Sequence, residues 1–325
     1  MSHRIRTARG FTIVELGFVT VIVGVLALLM GESIVSLSRT HSFSRGQVRI
    51  TDVSDSIAQV VSRDVGVSVR VFAHDAAGNA YLSALDFGTL APIAGSRRPR
   101  FTNVGYFEPD LLTESSTGNM LLLGVREEPL TVCVKSTTTT PDQNYRVDVL
   151  RFVCYFPTIV PKSRYHDLAR WCSVKVARLS DVMAIVDPTQ CVGAIKALAA
   201  EGIVYAWEPT MDRASGLFRI NSSGGVVLLG SGERIPGDPA AIRTSLAGTR
   251  RVGIASNDLL PQAQVPFYAN SNRPSGSRFP GGFELRVDGP SSGRLLLLRM
   301  VLVATNEHGA WNHAEVRRLL SCHDG

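Results

Sequence analysis

From Phe11 to Gly31 the chain is almost continuously apolar, with no charged residue between Leu16 and Gly31. A helix that is hydrophobic on every side suits lipid or a packed helical core, not a water-facing surface. Glu15 and Glu32 bracket the run at a separation of 17 positions, or about 26 Å of helix at 1.5 Å per residue. That is close to the hydrocarbon thickness of a bilayer, about 30 Å. The pattern then changes to steps of three and four, with Ile50, Val53, Ile57, Val60, Val61 and Val65 apolar and Arg49, Asp52, Asp55, Arg63 and Asp64 largely on other faces. This predicts an amphipathic continuation. With no proline before Pro92, one helix from about Phe11 to Val65 is expected, about 80 Å long. The alternative is a break near Gly46 followed by a short core helix.

Gly66 offers a stop, and Val67-Ser-Val69-Arg-Val71-Phe72 alternates as a strand does. Further strands are predicted at Asn119–Val125, Tyr145–Phe156, Trp171–Leu179, Gly202–Trp207, Leu217–Ile220, Gly225–Leu229, Phe283–Val287 and Leu295–Ala304, all rich in branched and aromatic residues. Cys191–Ala200 and Ala310–Leu320 read as helices. Gly88–Gly118, Ser136–Asn144 and Ser256–Arg278 have the composition of loops, and the Asn- and Ser-rich last of these is a candidate variable surface. The expected fold is α+β: a long N-terminal helix, membrane-spanning over about 11–35 and amphipathic after it, packed on a large, mainly antiparallel sheet in residues 67–325.

Ahead of the apolar run, Met1–Gly10 carries Arg4, Arg6 and Arg9 and no acid. A secretory signal peptide places its hydrophobic core before the cleavage site; here the order is reversed. A cut after Gly10 removes the arginines and leaves the hydrophobic helix on the mature chain. The sequence Gly10-Phe11-Thr-Ile-Val-Glu15-Leu16 resembles the type IV prepilin signature shared by pilins, minor pilins and the pseudopilins of type II secretion. The resemblance implies prepilin peptidase cleavage between Gly10 and Phe11, N-methylation of Phe11, and an assembly role for Glu15, which pairs with the N-terminal amine of a subunit. It covers roughly the first 65 residues.

An ionised carboxylate at bilayer depth costs about 2.5–3.5 kcal/mol on insertion scales, so a partner for Glu15 is expected. Four residues separate it from Phe11, which puts both on one helix face. The competing reading is a carboxylate at the lipid headgroups, satisfied by water. The leader arginines favour a cytoplasmic N-terminus, with the remainder exported. Gly17, Gly24 and Gly31 repeat every seven residues, a spacing that allows close helix approach but is also common in membrane helices at large.

Cysteine usage follows from the exported location. Cys133, Cys154, Cys172 and Cys191, with Cys322 the fifth, can form disulfides in an oxidising compartment, with the pairing open. No two have the spacing of a zinc knuckle. Gly289-Pro-Ser291-Ser-Gly293 satisfies GxSxG as text, but a nucleophile elbow needs a helix after the serine, and Leu295–Val303 reads as strand. There is no P-loop and no HExxH. His308 and His313, which cluster with Cys322 and His323 near the C-terminus, read as surface histidines, and Asp142-Gln-Asn144 lacks the rest of a calcium loop. No enzyme activity, metal or cofactor is expected.

Net charge alters the picture less than it first suggests. The formal +6 falls to +3 over the 315 residues after Gly10 once Arg4, Arg6 and Arg9 are removed, which argues against nucleic acid as a partner. Arg97-Arg98-Pro99-Arg100 beside Phe101 is the one compact basic run and reads as a solvated loop. The chain is larger than typical major pilins, and this, with Arg63-Asp64-Val65 near the end of the spine, is similar to PilW-type minor pilins. The resemblance implies a minor pilin that helps prime filament assembly near the tip, supporting adhesion or twitching motility. Its implied partners are prepilin peptidase, other minor pilins, the major pilin, a PilY-type tip adhesin and inner-membrane lipid. The subunit waits in the inner membrane with its C-terminal domain periplasmic and later reaches the pilus or cell surface. A minor pseudopilin of type II secretion is the alternative; a membrane-tethered binding or hydrolytic domain requires the signature to be coincidence.

Overall fold

The computed structural model describes residues 12–90, 92–93, 95–102, 116–135, 142–159, 165–211, 216–238, 252–256, 282–290, 293–305 and 311–322. One helix, α1 (Ile13–Gly66), runs unbroken for 54 residues. It is followed by β1 (Ser68–Val71), α2 (Ala76–Ser83), β2 (Leu85–Asp86), β3 (Phe101–Thr102), β4 (Leu121–Arg126), β5 (Leu130–Val134), β6 (Gln143–Val147) and β7 (Val149–Ile159). The chain continues through β8 (Tyr165–Ser173), β9 (Val176–Arg178), α3 (Leu179–Met183), α4 (Pro188–Ala200), β10 (Tyr205–Trp207), β11 (Leu217–Ile220) and β12 (Val226–Leu228). It ends with β13 (Ile235–Asp238), β14 (Val252–Ala255), β15 (Phe283–Asp288), β16 (Arg294–Thr305) and β17 (Trp311–Cys322).

Among the described residues all strands but two join one large mixed sheet, mostly antiparallel; β5 and β6 pair separately. Two long strands organise it. β7 gives one edge to β4 and divides the other between β8 and β9, while β16 gives one edge to β17 over its whole length and divides the other between β15 and β14. The β8–β14 pairing joins the two halves. The architecture is α+β.

Alternation decides which side each strand residue faces. One side of the sheet supplies Leu121, Leu123, Val153, Tyr155, Leu285, Leu296, Leu298, Met300 and Leu302 to a core shared with Ile50, Val53, Ile57, Ala58, Val61 and Val65 of α1. The other side, around β4, β7 and β8, packs Phe152, Trp171 and Trp207 with Phe72 and Tyr81. Gly124 sits under the Trp207 indole, where a Cβ would lie 2.2 Å from the ring, so a glycine is what lets that indole reach the strand. Helices α3 and α4 close a further core over β5, β9 and β10.

The sequence reading holds for α1 as one helix and for most strands, with shifts of a few residues at their ends. Gly46 does not break the helix. It is a point of close approach to β17, for a Cβ there would fall 2.2 Å from Asn312 Nδ2, and the Asn312 amide donates to the Phe43 carbonyl at 3.4 Å. The predicted helix at Ala310–Leu320 is corrected: the segment is strand β17, paired with β16 in an unbroken twelve-residue register. Its even-numbered residues Ala314, Val316 and Leu320 pack against the core under α1. Two predicted strands are each corrected to a pair: Tyr145–Phe156 is β6 and β7, which belong to different sheets, and Trp171–Leu179 is β8 and β9, with Leu179 already beginning α3. The loop Ser256–Arg278 lies almost wholly outside the described residues.

Candidate functional site

The chemistry of the described chain concentrates at the two ends of α1. At the N-terminus, Thr12 caps the helix: its Oγ1 accepts from the Glu15 amide at 3.3 Å, and its own amide and hydroxyl donate to Glu15 Oε2 at 2.9 and 3.0 Å. This capping box satisfies donors that a helix start leaves open. Both Thr12 contacts to the carboxylate fall on Oε2, which leaves Oε1 able to accept from an amine. Gly10 and Phe11 lie outside the described residues. The Thr-x-x-Glu spacing is itself the sequence signal for this cap, which neither the amine partner nor the water-satisfied carboxylate includes.

Between Ile13 and Leu37 the apolar side chains are exposed, Phe18 at 72% and Leu37 at 69%. A stretch of α1 with mean hydropathy 2.6 and none of its residues buried is long and apolar enough to cross a membrane. Farther on, Thr40 and Ser42 turn their hydroxyls back onto the helix, donating to the carbonyls of Ser36 and Arg39 at 3.0 Å each.

At the C-terminal end, Asp64 is buried between helix and sheet. Its Oδ2 accepts from the Tyr155 hydroxyl at 2.5 Å and from Nε and Nη2 of Arg170 at 2.8 Å each. Tyr155 and Arg170 face each other across β7 and β8 in register. One cross-strand pair therefore holds one helix carboxylate. Arg170 also places Nη1 2.7 Å from the Cys172 sulfur. Burial pushes the Tyr155 phenol well above its usual range, and the Asp64 charge pushes the same way. Burial opposes the charge on Arg170, but the hydrogen bond to Asp64 and the surrounding groups outweigh it and hold the guanidinium charged. The arrangement is a pin between helix and sheet.

The cysteines are carried as free thiols. Because Cys172 is the register partner of Val153 and Cys154 that of Trp171, the two point to opposite sides of the sheet, Cys172 toward α1 and Cys154 toward the aromatic core. Cys133 lies exposed on the outer side of β5, while Cys191 points its sulfur toward the Val182 carbonyl at 3.5 Å. The spacing that suggested bridges thus brings no two of these four together. Burial raises the thiol of Cys154 strongly, against the nearby Arg98 charge, and raises that of Cys172 despite Arg170. Both are neutral thiols at ordinary pH, unlike the thiolates that react or bind metal.

The basic run requires a correction. Arg98 is 1% exposed, with Nε donating to the Ala73 carbonyl at 2.9 Å and Nη2 to the Asn79 side chain. Burial lowers its pKa from the ordinary arginine value. Arg97 donates its backbone amide to Asn119 Oδ1 at 2.8 Å and its Nε to the Thr117 carbonyl at 3.2 Å. These arginines stitch the β3 region to α2 and the start of β4, where solvent was expected around them. Arg294 stacks its guanidinium 4.0 Å from the centre of the Phe101 ring.

Gly289 and Gly293 bracket the turn between β15 and β16, with the Gly293 amide bonded to the Pro290 carbonyl at 3.0 Å. The segment after the turn is strand; Ser291 lies outside the described residues. Gln143 and Asn144 belong to β6. His313 and Cys322 stand at opposite ends of β17, and His308 and His323 lie outside the described residues. Among the described residues no three His, Cys, Asp or Glu side chains are placed to hold a metal. Comparison with family models, with curated proteins and with solved structures finds no match.

Proposed function

We propose that the chain is a minor pilin: a subunit processed by prepilin peptidase at Gly10–Phe11, methylated at Phe11, held in the inner membrane by α1 and inserted near the tip of a type IV filament. One observation carries the reading. A single uninterrupted helix exposes apolar side chains along its first part and contributes Ile50 through Val65 to the core of a β-rich domain in its second. Such a helix serves as both membrane anchor and domain spine, and it follows the Gly10-Phe11-Thr-Ile-Val-Glu15 signature. The amphipathic character of the second part and the periplasmic placement of the domain belong to the same proposal.

Glu15 then has two tasks that its two oxygens can divide. Oε2 holds the Thr12 cap, and Oε1 accepts the N-terminal amine of a subunit in the growing assembly. Glu15→Ala is expected to be cleaved and inserted normally yet to be missing from sheared filaments; incorporation at the wild-type level would overturn the role given to Glu15. Gly10→Val is expected to stay unprocessed. A tagged wild-type chain absent from filaments, in cells that make them, would reject the pilin reading in favour of a pseudopilin or a tethered domain.

A further inference from the structure

Between Leu37 and the first contact with the domain at Phe43, whose carbonyl accepts from Asn312, α1 advances six positions, about 9 Å. Arg39 and His41 stand in this gap and Arg45 two residues past it, all exposed. No Asp or Glu occurs from Ser33 to Thr51, and among the described residues neither Arg39 nor Arg45 makes an ion pair. Arg49, the next cation, is half-buried at the foot of the sheet. The exported flank of a membrane helix is ordinarily sparse in arginine, yet here cations follow the apolar stretch directly.

What lies within reach of these side chains is set by the membrane. With Leu37 at the edge of the hydrocarbon, the headgroup layer of about 5–8 Å takes in Arg39 and His41, about 3 and 6 Å along the axis, while Arg45, about 12 Å along, reaches it by extending its stem back toward the bilayer. Arginine stems can lie along the apolar surface while the guanidinium reaches the polar layer, and the planar guanidinium matches phosphate oxygens in pairs. At successive steps of 100°, His41 and Arg45 stand within 40° of each other and Arg39 projects from a different side. The cations therefore surround the helix over a wide arc, as a collar in a lipid surface would, and do not form a one-sided stripe suited to a single protein groove.

We propose that Arg39, His41 and Arg45 form a collar that binds the phosphates of anionic phospholipid at the membrane surface from which the domain rises. The proposal rests on the reading of α1 as a membrane anchor. It goes beyond that reading in giving the anchor a preference among lipids and in fixing how far the domain stands from the bilayer.

The test uses the full chain reconstituted into mixed bilayers of phosphatidylcholine and phosphatidylglycerol, extracted with mild detergent, with the retained lipids quantified by mass spectrometry. Each arginine near an anionic surface is expected to add roughly a fivefold preference. Wild type should therefore retain phosphatidylglycerol well above its bulk share, and Arg39→Gln/Arg45→Gln should retain it near that share. The enrichment should fall in about 1 M salt, where screening acts within about 3 Å. A wild-type ratio equal to bulk, or undiminished enrichment in the double variant, overturns the collar. Alkaline carbonate separates the two readings: if wild type stays in the membrane without enrichment the collar alone fails, whereas its release by carbonate rejects the anchor as well.

Discussion

Between Ile13 and Leu37, α1 turns leucines, isoleucines and valines outward on every side; between Ile50 and Val65 the same helix buries the residues that recur at helical steps and leaves Asp52, Gln59 and Arg63 in solvent. The backbone is continuous across both parts, so helix formation is common to them and the partner differs. In the first part the partner is absent from the monomer. In the second it is a sheet, and there the helix carries a buried charge where the first part has Glu15 at an open end. The difference teaches that burial along one helix is set by what lies beside it, so substitutions of the same chemistry should have unequal consequences for domain stability in the two parts.

The largest effect is expected at the pin. Asp64→Ala leaves the Arg170 guanidinium and the Tyr155 hydroxyl facing a buried void, and breaking such a pair by removing one member costs about 3–5 kcal/mol. Chemical denaturation of the full chain in micelles measures it, and a loss below about 1 kcal/mol would mean that Asp64 does not fasten the helix. Next comes a matched pair of core and anchor truncations. Ile57→Ala should cost the domain about 2–5 kcal/mol, whereas Ile22→Ala should leave domain unfolding within about 0.5 kcal/mol of wild type. Equal effects would erase the distinction between the two parts of the helix.

The smallest effect concerns pH. On β17, the strand beneath the second part of α1, burial alone would raise the Glu315 carboxyl, but hydrogen bonds from Arg299 and Arg317 and their charges hold it below its ordinary value of 4.5. A carboxyl depressed on folding stabilises fully above that ordinary value, and the contribution is lost as pH falls through the folded one. Stability should therefore decline below pH 4.5 with a slope that Glu315→Gln reduces. Acid titration of both proteins by tryptophan fluorescence checks this; identical acid limbs would exclude Glu315 as a source.

The helix and its division into apolar run and stepped pattern were legible because both depend on local periodicity. The last strand was not. Val316, Leu319 and Leu320 stand three and four apart and imitate a helical face, while the alternation that matters, Ala314, Val316 and Leu320 against the core, is interrupted by Arg318, which reaches out to Asp55 at 3.0 Å. Helix α2 was also overlooked, although Asp75 announces it by accepting from the Gly78 amide at 2.7 Å. For the site, Glu15 could be read from a motif of seven residues. The pin could not: Asp64 meets Tyr155 and Arg170 from 91 and 106 positions away, and only sheet register makes those two neighbours. The burial of Arg98 was hidden for the same reason, since a run of cations reads as solvated until a fold supplies the Ala73 carbonyl and Asn79.

The hydroxyls of Thr40 and Ser42, bonded back to the carbonyls of Ser36 and Arg39, have a mechanical consequence. Below Gly46 the helix is a cantilever of 33 residues, about 50 Å, clamped where Asn312 meets Phe43. Back-bonded hydroxyls weaken the axial ladder of a helix and bend it. They lie just outside the clamp, where bending moment on a cantilever is greatest. Bending there would leave the core around Ile57 packed as it is.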